Sequence, residues 1–132
     1  MIIKSEVYCM IVGIGTDLVE IKRMEKAYGR PGFAARVFTK KEQELIGVRA
    51  ARAAGNFAVK EAVVKAFGTG FGRVSPQEIE VLRDKAGKPY TLLFGQAKKK
   101  AAELGINYIH VSISNEREYA VAFVVAEKRE DV

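Results

Sequence analysis

The chain has 132 residues, 48% of them hydrophobic, and a formal net charge of +6 at pH 7. This length suits one domain, and the positive charge favours an anionic partner such as nucleic acid, anionic lipid, a phosphorylated cofactor or an acidic protein. The single cysteine, Cys9, excludes an intramolecular disulfide, and no apolar run approaches the roughly 18 residues of a membrane span. We therefore expect a soluble, cytoplasmic, single-domain protein over residues 1–132, with residues 1–9 as a candidate N-terminal extension.

The first half of the chain predicts one strand followed by helices. Met10 to Ile14 is a short run rich in β-branched residues, typical of a buried strand. After Asp17, apolar residues recur at three- to four-residue spacing up to Tyr28, which indicates a helix ended by the glycine and proline of residues 29–32. Next come a helical turn over residues 33–38, a short helix from Lys40 behind a Thr39–Glu42 capping box, and a longer helix from Val48 to Phe67.

The second half predicts mainly strands. Residues 107–114 alternate, with Ile109 and Val111 facing one way and His110 and Ser112 the other. Further strands are expected at residues 79–83, 90–94 and 119–126, a lysine-rich helix at 96–104, and a charged, frayed tail from Glu127. This order favours an α+β fold with a largely antiparallel sheet packed with helices.

The segment from Phe57 to Gly70 carries the strongest chemical signal. Glu61 and Lys65 are four residues apart and share one face of the predicted helix, while Asp17 supplies a second carboxylate from far upstream. Mg²⁺ in proteins usually takes one or two carboxylates plus substrate phosphates, so Asp17 and Glu61 are candidate metal ligands and Lys65 a candidate phosphate contact. Two alternatives stay open: Asp17 as a helix N-cap, and Glu61–Lys65 as an ordinary surface pair.

The glycines match neither of two familiar phosphate loops. Gly13-x-Gly15 lacks the third glycine of a dinucleotide fingerprint, because Leu18 stands at that position. The Gly68-Thr69-Gly70 segment leaves a helix C-terminus, where the dipole favours cations, instead of entering a helix N-terminus. Its glycines therefore either allow a cofactor to approach the backbone closely or form a C-cap and turn.

Two segments, Gly13 to Ile21 and Phe57 to Gly70, closely resemble the holo-acyl-carrier-protein synthases, the small bacterial 4'-phosphopantetheinyl transferases. The shorter segments Phe33–Thr39, Gly87–Pro89 and His110–Ser112 fall in the family's order, so the resemblance covers Met10 to about Val125. It implies the family's single-domain fold. It also implies transfer of the phosphopantetheine arm of coenzyme A to a serine of acyl carrier protein, with release of 3',5'-ADP, in fatty acid biosynthesis.

The resemblance also assigns roles to residues. Asp17 and Glu61 become catalytic residues and Mg²⁺ ligands at the coenzyme A pyrophosphate, with Glu61 the first candidate and His110 the second for the base that takes the serine proton. The implied coenzyme A contacts are Lys65, Gly68, Thr69, Gly70, His110 and Ser112. Lys22, Arg23 and Lys26 match the basic first helix that docks the acidic carrier protein. A homotrimer with active sites at its subunit interfaces is implied as well.

One departure from the family concerns Asn56, which stands where members carry arginine and so weakens a cofactor-phosphate contact. Arg49 or Arg52, one or two helical turns earlier, is a candidate substitute.

Two rival functions fit the composition: a small nucleic-acid-binding domain, suggested by the charge, and a non-catalytic oligomeric scaffold. The basic residues are spread over several elements and no nucleic-acid recognition motif is legible, so we expect neither nucleic acid nor membrane as a partner.

Overall fold

The computed structural model describes residues 7 to 131, with side chains described for residues 9 to 130. Its elements are β1 (Val7–Glu20), α1 (Ile21–Tyr28), α2 (Phe33–Val37), α3 (Lys40–Ile46), α4 (Ala50–Phe67), a 3-10 turn (Pro76–Glu78), β2 (Ile79–Arg83), β3 (Pro89–Leu93), α5 (Gly95–Leu104), β4 (Tyr108–Asn115) and β5 (Tyr119–Asp131). The predicted α+β class is confirmed. No helix in this part of the chain is long and apolar enough to cross a bilayer.

Three strands form the main sheet in the order β1-β5-β4, and each neighbouring pair is antiparallel. β2 and β3 form a separate antiparallel pair. β1 pairs with β5 from Val7 opposite Asp131 to Glu20 opposite Tyr119, with one irregularity between Ile11 and Gly13. β5 is therefore the central strand, and β1 and β4 are the two edges of the sheet.

β1 and β5 are both longer than the sequence predicts. β1 continues beyond Ile14 to Glu20, and β5 runs to Asp131, so the expectation of a frayed tail from Glu127 is wrong. Each strand supplies the hydrogen-bonding partner of the other, and this pairing overrides the weak local strand preference of glycine and charged residues. Residues 7–9 of the candidate extension belong to β1, while residues 1–6 lie outside the described residues.

The N-cap interpretation of Asp17 is also wrong. Asp17 lies inside β1, opposite Ala122 of β5. Helix α1 begins four residues later at Ile21, and its N-cap residue, Glu20, makes no side-chain capping hydrogen bond. The carboxylate of Asp17 is therefore free from a capping role.

Helix α4 lies across one face of the main sheet, which we call the inner face, and begins at Ala50 instead of Val48. Gly13 and Gly15 of β1 lie directly against it. A Cβ atom built on Gly15 would stand 1.8 Å from the carbonyl oxygen of Ala62, and one on Gly13 would stand 2.0 Å from that of Ala66. Only glycine permits this approach, which sets the spacing between strand and helix.

A buried polar network joins α4 to α3 and β2. The predicted capping box forms: Thr39 Oγ1 accepts from the Glu42 amide at 3.2 Å, and the Thr39 amide donates to Glu42 Oε1 at 3.1 Å. The same carboxylate accepts from Lys60 Nζ at 2.7 Å, and both side chains are fully buried. Burial raises the pKa of Glu42 and lowers the pKa of Lys60, and the attraction between the two opposes both shifts.

The other face of the main sheet, which we call the outer face, exposes apolar side chains. Ile14 and Leu18 of β1 are 60% and 61% exposed, and Phe123 of β5 is 48% exposed. Leu18 pairs with Val121, which is also exposed, so the apolar surface is continuous across two strands. An apolar surface of this kind typically marks an interaction site.

Candidate active site

Asp17, Glu61 and Lys65 converge where β1 crosses α4. Alternate residues of a strand share a face, so Asp17 lies on the inner face with Gly13 and Gly15. The close approach at these glycines brings Asp17 beside the helix. Lys65 Nζ donates to Asp17 Oδ1 at 3.1 Å and to the Thr16 carbonyl oxygen at 2.9 Å.

The ion pair of Lys65 is therefore made with Asp17 across 48 positions of sequence, not with Glu61 on the same helix. The side chain of Asp17 is 17% exposed and that of Lys65 is 51% exposed, so the pair lies at the edge of the protein. This placement leaves the ammonium accessible to a bound anion.

The negative charge of Asp17 acts on Glu61. Burial raises the pKa of Glu61, the negative charge of Asp17 raises it further, and Lys65 acts in the opposite direction. Among residues 7–131 no group of three or more His, Cys, Asp or Glu side chains could hold a metal ion. Two mutually repelling carboxylates are nevertheless the protein contribution that Mg²⁺ takes when phosphate and water oxygens complete its shell, so this donor set fits Mg²⁺.

A cavity of about 380 Å³ opens beside the two carboxylates. Its apolar wall includes Met24, Phe33 and Phe57, and its basic side chains are Arg23 and Arg30. The sequence did not single out Arg30, because it follows the predicted end of a helix, and only the fold returns that loop to the site. The cavity thus combines an apolar wall with both signs of charge.

The predicted docking residues lie on one exposed helix. Lys22, Arg23 and Lys26 are exposed on α1, while Met24 between them is buried at 4% exposure. Because Arg23 also lines the cavity, the basic surface of α1 reaches the two carboxylates.

The amides of the Gly68-Thr69-Gly70 segment are used to end α4. The Gly68 amide donates to the Lys65 carbonyl oxygen at 3.0 Å, and the amides of Thr69 and Gly70 donate to the Val64 carbonyl oxygen at 3.1 and 3.4 Å. This favours the C-cap interpretation. The segment can offer a cofactor its exposed surface, but these amides are already engaged.

His110 and Ser112 lie away from Asp17 and Glu61. Ser112 pairs with Phe123, and His110 two residues earlier shares its side of β4, so both project from the outer face. Asp17 lies on the inner face and at the opposite edge of the sheet, two strand spacings of about 4.8 Å away. One chain alone therefore does not place His110 beside Glu61.

His110 has a partner that sequence reasoning missed. Its Nε2 atom lies 3.1 Å from Glu127 Oε1, and its ring stacks on Tyr108 with centroids 6.3 Å apart. The strand continuation that was taken for a frayed tail supplies this carboxylate.

A second cavity, also of about 380 Å³, is lined by Arg49, Arg52 and Arg83. Burial lowers the pKa of Arg83, and the neighbouring positive charge of Arg52 lowers it further. Three guanidinium groups lining one cavity favour an anion between them. Gly87 and Pro89 of the shorter family motif line the same cavity.

Asn56 takes no part in that arginine cluster. It is fully buried, and its Nδ2 atom donates to Glu42 Oε2 at 3.1 Å and to the Val81 carbonyl oxygen at 3.0 Å. Its amide group is therefore committed to the interior of the protein.

Comparison with known proteins identifies the family. Residues 13–124 match the model of the 4'-phosphopantetheinyl transferase superfamily. A holo-[acyl-carrier-protein] synthase of Lachnoclostridium phytofermentans is 52% identical over 118 residues, covering 89% of this chain and 97% of the relative.

Solved structures agree with this match. The holo-[acyl-carrier-protein] synthase of Neisseria meningitidis superposes with a TM-score of 0.80 at 40% identity, covering 90% of this chain and 100% of that one. That of Bacillus anthracis, in complex with CoA (3',5'-ADP), gives 0.76 at 40% identity, covering 90% and 98%. The chain therefore belongs to the holo-[acyl-carrier-protein] synthases of the 4'-phosphopantetheinyl transferase superfamily.

Proposed function

We infer that this protein transfers the 4'-phosphopantetheine moiety of coenzyme A to a serine of apo-acyl carrier protein, in the cytoplasm and in fatty acid biosynthesis. The observation that carries the proposal is the convergence of Asp17 with Glu61 and Lys65 at a cavity that also contains Arg23. Two carboxylates and one ammonium at this position suit a reaction at a pyrophosphate group. The match to relatives of the same name supports the same reaction.

Asp17 and Glu61 are the residues that would hold Mg²⁺ at the pyrophosphate. The ion would supply positive charge where negative charge develops on the phosphate oxygens. Burial and the charge of Asp17 raise the pKa of Glu61 by disfavouring its charged form. A bound cation would favour that charged form, so the raised pKa supports Glu61 as a Mg²⁺ ligand.

The chain's own residues account for the movement of charge and protons. The serine oxygen attacks the phosphorus atom next to the pantetheine arm, a new P–O bond forms, and the bond to the ADP phosphate breaks. Glu61, which lines the cavity beside Asp17, is the first candidate to take the serine proton, directly or through a water molecule. Lys65, whose side chain is 51% exposed beside Asp17, supplies positive charge that stabilises the phosphate of the departing 3',5'-ADP.

Cofactor contacts from His110 and Ser112 require a second copy of the chain. Both residues project from the outer face, whereas Glu61 lies beside the inner face. The exposed Ile14, Leu18 and Phe123 supply apolar surface for self-association on the outer face. These features support self-association in which His110 and Ser112 of one chain complete the site of its neighbour, with His110 as the second candidate base; the number of three copies is carried over from the family resemblance.

The second cavity, lined by Arg49, Arg52 and Arg83, is our candidate site for a further phosphate of coenzyme A. Asn56 cannot serve there, because its side chain is bonded to Glu42 and Val81. The sequence predicts Arg49 or Arg52 as the substitute; both line this cavity, and Arg83 adds a third guanidinium. Gly68, Thr69 and Gly70 are assigned to the flank of the cofactor through their exposed surface.

The carrier protein is expected to dock on α1. Lys22, Arg23 and Lys26 are exposed there, and Arg30 adds a fourth cation at the edge of the cavity. An acidic protein is the complementary partner, and charge complementarity of this kind chiefly raises the association rate and the specificity.

Intact-protein mass spectrometry tests the proposal. The protein, coenzyme A, Mg²⁺ and apo-acyl carrier protein together should add one phosphopantetheine group to the carrier, and EDTA should prevent the addition. Asp17→Ala and Glu61→Ala should abolish transfer while keeping the fold. Absence of any mass gain across several carriers with folded, Mg²⁺-supplied protein would refute the transferase assignment. Binding to generic RNA without affinity for coenzyme A would instead favour the nucleic-acid rival.

A further inference from the structure

The buried pair of Lys60 and Glu42 is not explained by stability alone. Both side chains have no exposure, and their closest atoms are 2.7 Å apart. Taking two charges out of water costs several kcal/mol each, and apolar residues of similar volume often replace such a pair without loss of stability. The pair therefore invites a role that an apolar contact could not fill.

The ammonium of Lys60 holds α4 by directional bonds to three other elements, α3, the 3-10 turn and β2. Besides Glu42 on α3, it donates to the carbonyl oxygen of Pro76 at 2.9 Å and to that of Ile79 at 2.5 Å. An ammonium has three donors, so all are used. The ring centroid of Phe38 lies 5.4 Å from the Nζ atom.

Asn56 repeats this attachment one helical turn earlier. It donates to Glu42 Oε2 and to the carbonyl oxygen of Val81, so two successive turns of α4 are bonded to the same carboxylate and to β2. Packed apolar side chains tolerate small sliding and rotation, whereas hydrogen bonds weaken steeply with angle. These bonds therefore determine both the rotation and the axial position of the helix.

The next residue after Lys60 is Glu61. At 3.6 residues per turn, successive side chains are about 100° apart, so the rotation set by Lys60 sets the direction of the Glu61 carboxylate. With side chains reaching about 6 Å from the axis, a 20° rotation of α4 would move that carboxylate by about 2 Å. A displacement near 1 Å at a reacting group can cost about 100-fold in rate.

We propose that Lys60, held by Glu42 and the two carbonyl oxygens, is a positioning residue that fixes the rotation of α4 so that Glu61 faces Asp17. It acts through the helix and does not touch the substrate. This inference rests on the proposed function, since it assigns to Lys60 the placement of one of two proposed Mg²⁺ ligands.

The test removes the anchor and keeps the fold. Lys60→Met alone leaves the Glu42 carboxylate buried without its counter-charge and should be strongly destabilised. The double variant Glu42→Gln with Lys60→Met removes both charges at nearly constant volume. It should melt above Lys60→Met, because no charge is left buried without a partner, but below the wild-type protein, because the carbonyl oxygens of Pro76 and Ile79 lose their donor. It should bind Mn²⁺ at least tenfold more weakly in the presence of coenzyme A, measured by electron paramagnetic resonance. Its kcat should fall at least tenfold, with the KM for the carrier within about twofold.

Val59→Ala is the matched control. It removes a fully buried side chain from the neighbouring position of α4 and leaves every bond of Lys60 in place. It should lower the melting temperature without weakening Mn²⁺ binding tenfold. If the double variant fails to fold, Glu42→Gln alone carries the comparison, because it keeps the bonds of Lys60 to two carbonyl oxygens and should weaken Mn²⁺ binding by a smaller factor.

If the folded double variant shows wild-type Mn²⁺ affinity and kcat, the positioning role is overturned. If the double variant does not fold, the same result in Glu42→Gln overturns it. An equal loss of Mn²⁺ affinity in Val59→Ala would also overturn it. If the wild-type protein binds no Mn²⁺ in the presence of coenzyme A and transfers no phosphopantetheine, the proposed transferase function fails. This result differs from failure of the positioning role, in which the wild-type protein is active and binds Mn²⁺.

Discussion

Replacing Gly15 by alanine should separate β1 from α4 and so pull the candidate site apart. The added Cβ atom would stand 1.8 Å from the Ala62 carbonyl oxygen, about 1.6 Å short of the 3.4 Å at which ordinary contact begins. The obstacle is helix backbone, which cannot rotate away as a side chain can. β1 must therefore retreat by about 1.5 Å, and Asp17, two residues further along the same face, moves with it.

The size of the effect follows from that displacement. Overpacking of this kind costs about 1–3 kcal/mol, which lowers the melting temperature of a domain this size by roughly 4 to 12 °C. A misplacement near 1 Å at the reacting groups corresponds to about 100-fold in kcat/KM. The mass-shift assay gives the rate, and differential scanning calorimetry gives the stability.

Gly72→Ala is the control, because a Cβ atom at Gly72 meets nothing within 4 Å. It should leave both quantities close to those of the wild-type protein. A Gly15→Ala variant with unchanged kcat/KM would show that the spacing of β1 and α4 does not position Asp17, and the reasoning would be refuted.

Three further predictions concern charge and association. Glu61→Gln should raise the melting temperature of the metal-free protein at pH 8. The reason is that the folded protein holds the Glu61 proton more tightly than the unfolded chain, so stability is lost as pH rises through the folded pKa. The gain should vanish below the ordinary value of 4.5, and a lower melting temperature at pH 8 would contradict the burial argument. Arg23→Glu should raise the KM for the carrier at least tenfold with a smaller change in kcat, in steady-state assays at low salt, and a large fall in kcat at unchanged KM would count against docking on α1. Phe123→Asp should shift the protein towards monomers in size-exclusion chromatography with light scattering and reduce transfer, whereas an unchanged mass would exclude the outer face as an interface.

Much of the fold could be predicted because its local signals agree with the final structure. The capping box at Thr39 and Glu42 forms as expected, and the alternation around His110 places the predicted side chains outside. These signals depend on neighbours within a few positions of the sequence. The family match and the α+β class rest on the same kind of information and were confirmed.

The long strands could not be predicted, because their cause lies at the other end of the chain. Gly13 to Asp17 reads as a strand end followed by a cap, but pairing with β5 more than 100 residues later keeps it extended. The same reason explains why Glu127 looked like a frayed tail and not the partner of His110.

The sequence predicted which residues form the site, but not which of them contact one another. Spacing on the helix suggested Glu61 with Lys65, whereas the ion pair of Lys65 is with Asp17. Local reasoning had no means of knowing how close β1 would come. From the sequence, Gly13 and Gly15 were compared only with a phosphate-binding loop. In the structure they allow the backbone of β1 to pack directly against the backbone of α4.

The opposite placement of His110 and Asp17 on one sheet has a consequence for mixtures of mutants. If both residues serve one reaction, they belong to different molecules, and two individually impaired proteins can repair each other. When a chain lacking Asp17 is refolded together with a chain lacking His110, rings assemble from both chains at random. About one subunit interface in four would then contain an intact Asp17 and an intact His110. Transferase activity in a mixture of two inactive variants would indicate a site shared between neighbouring subunits.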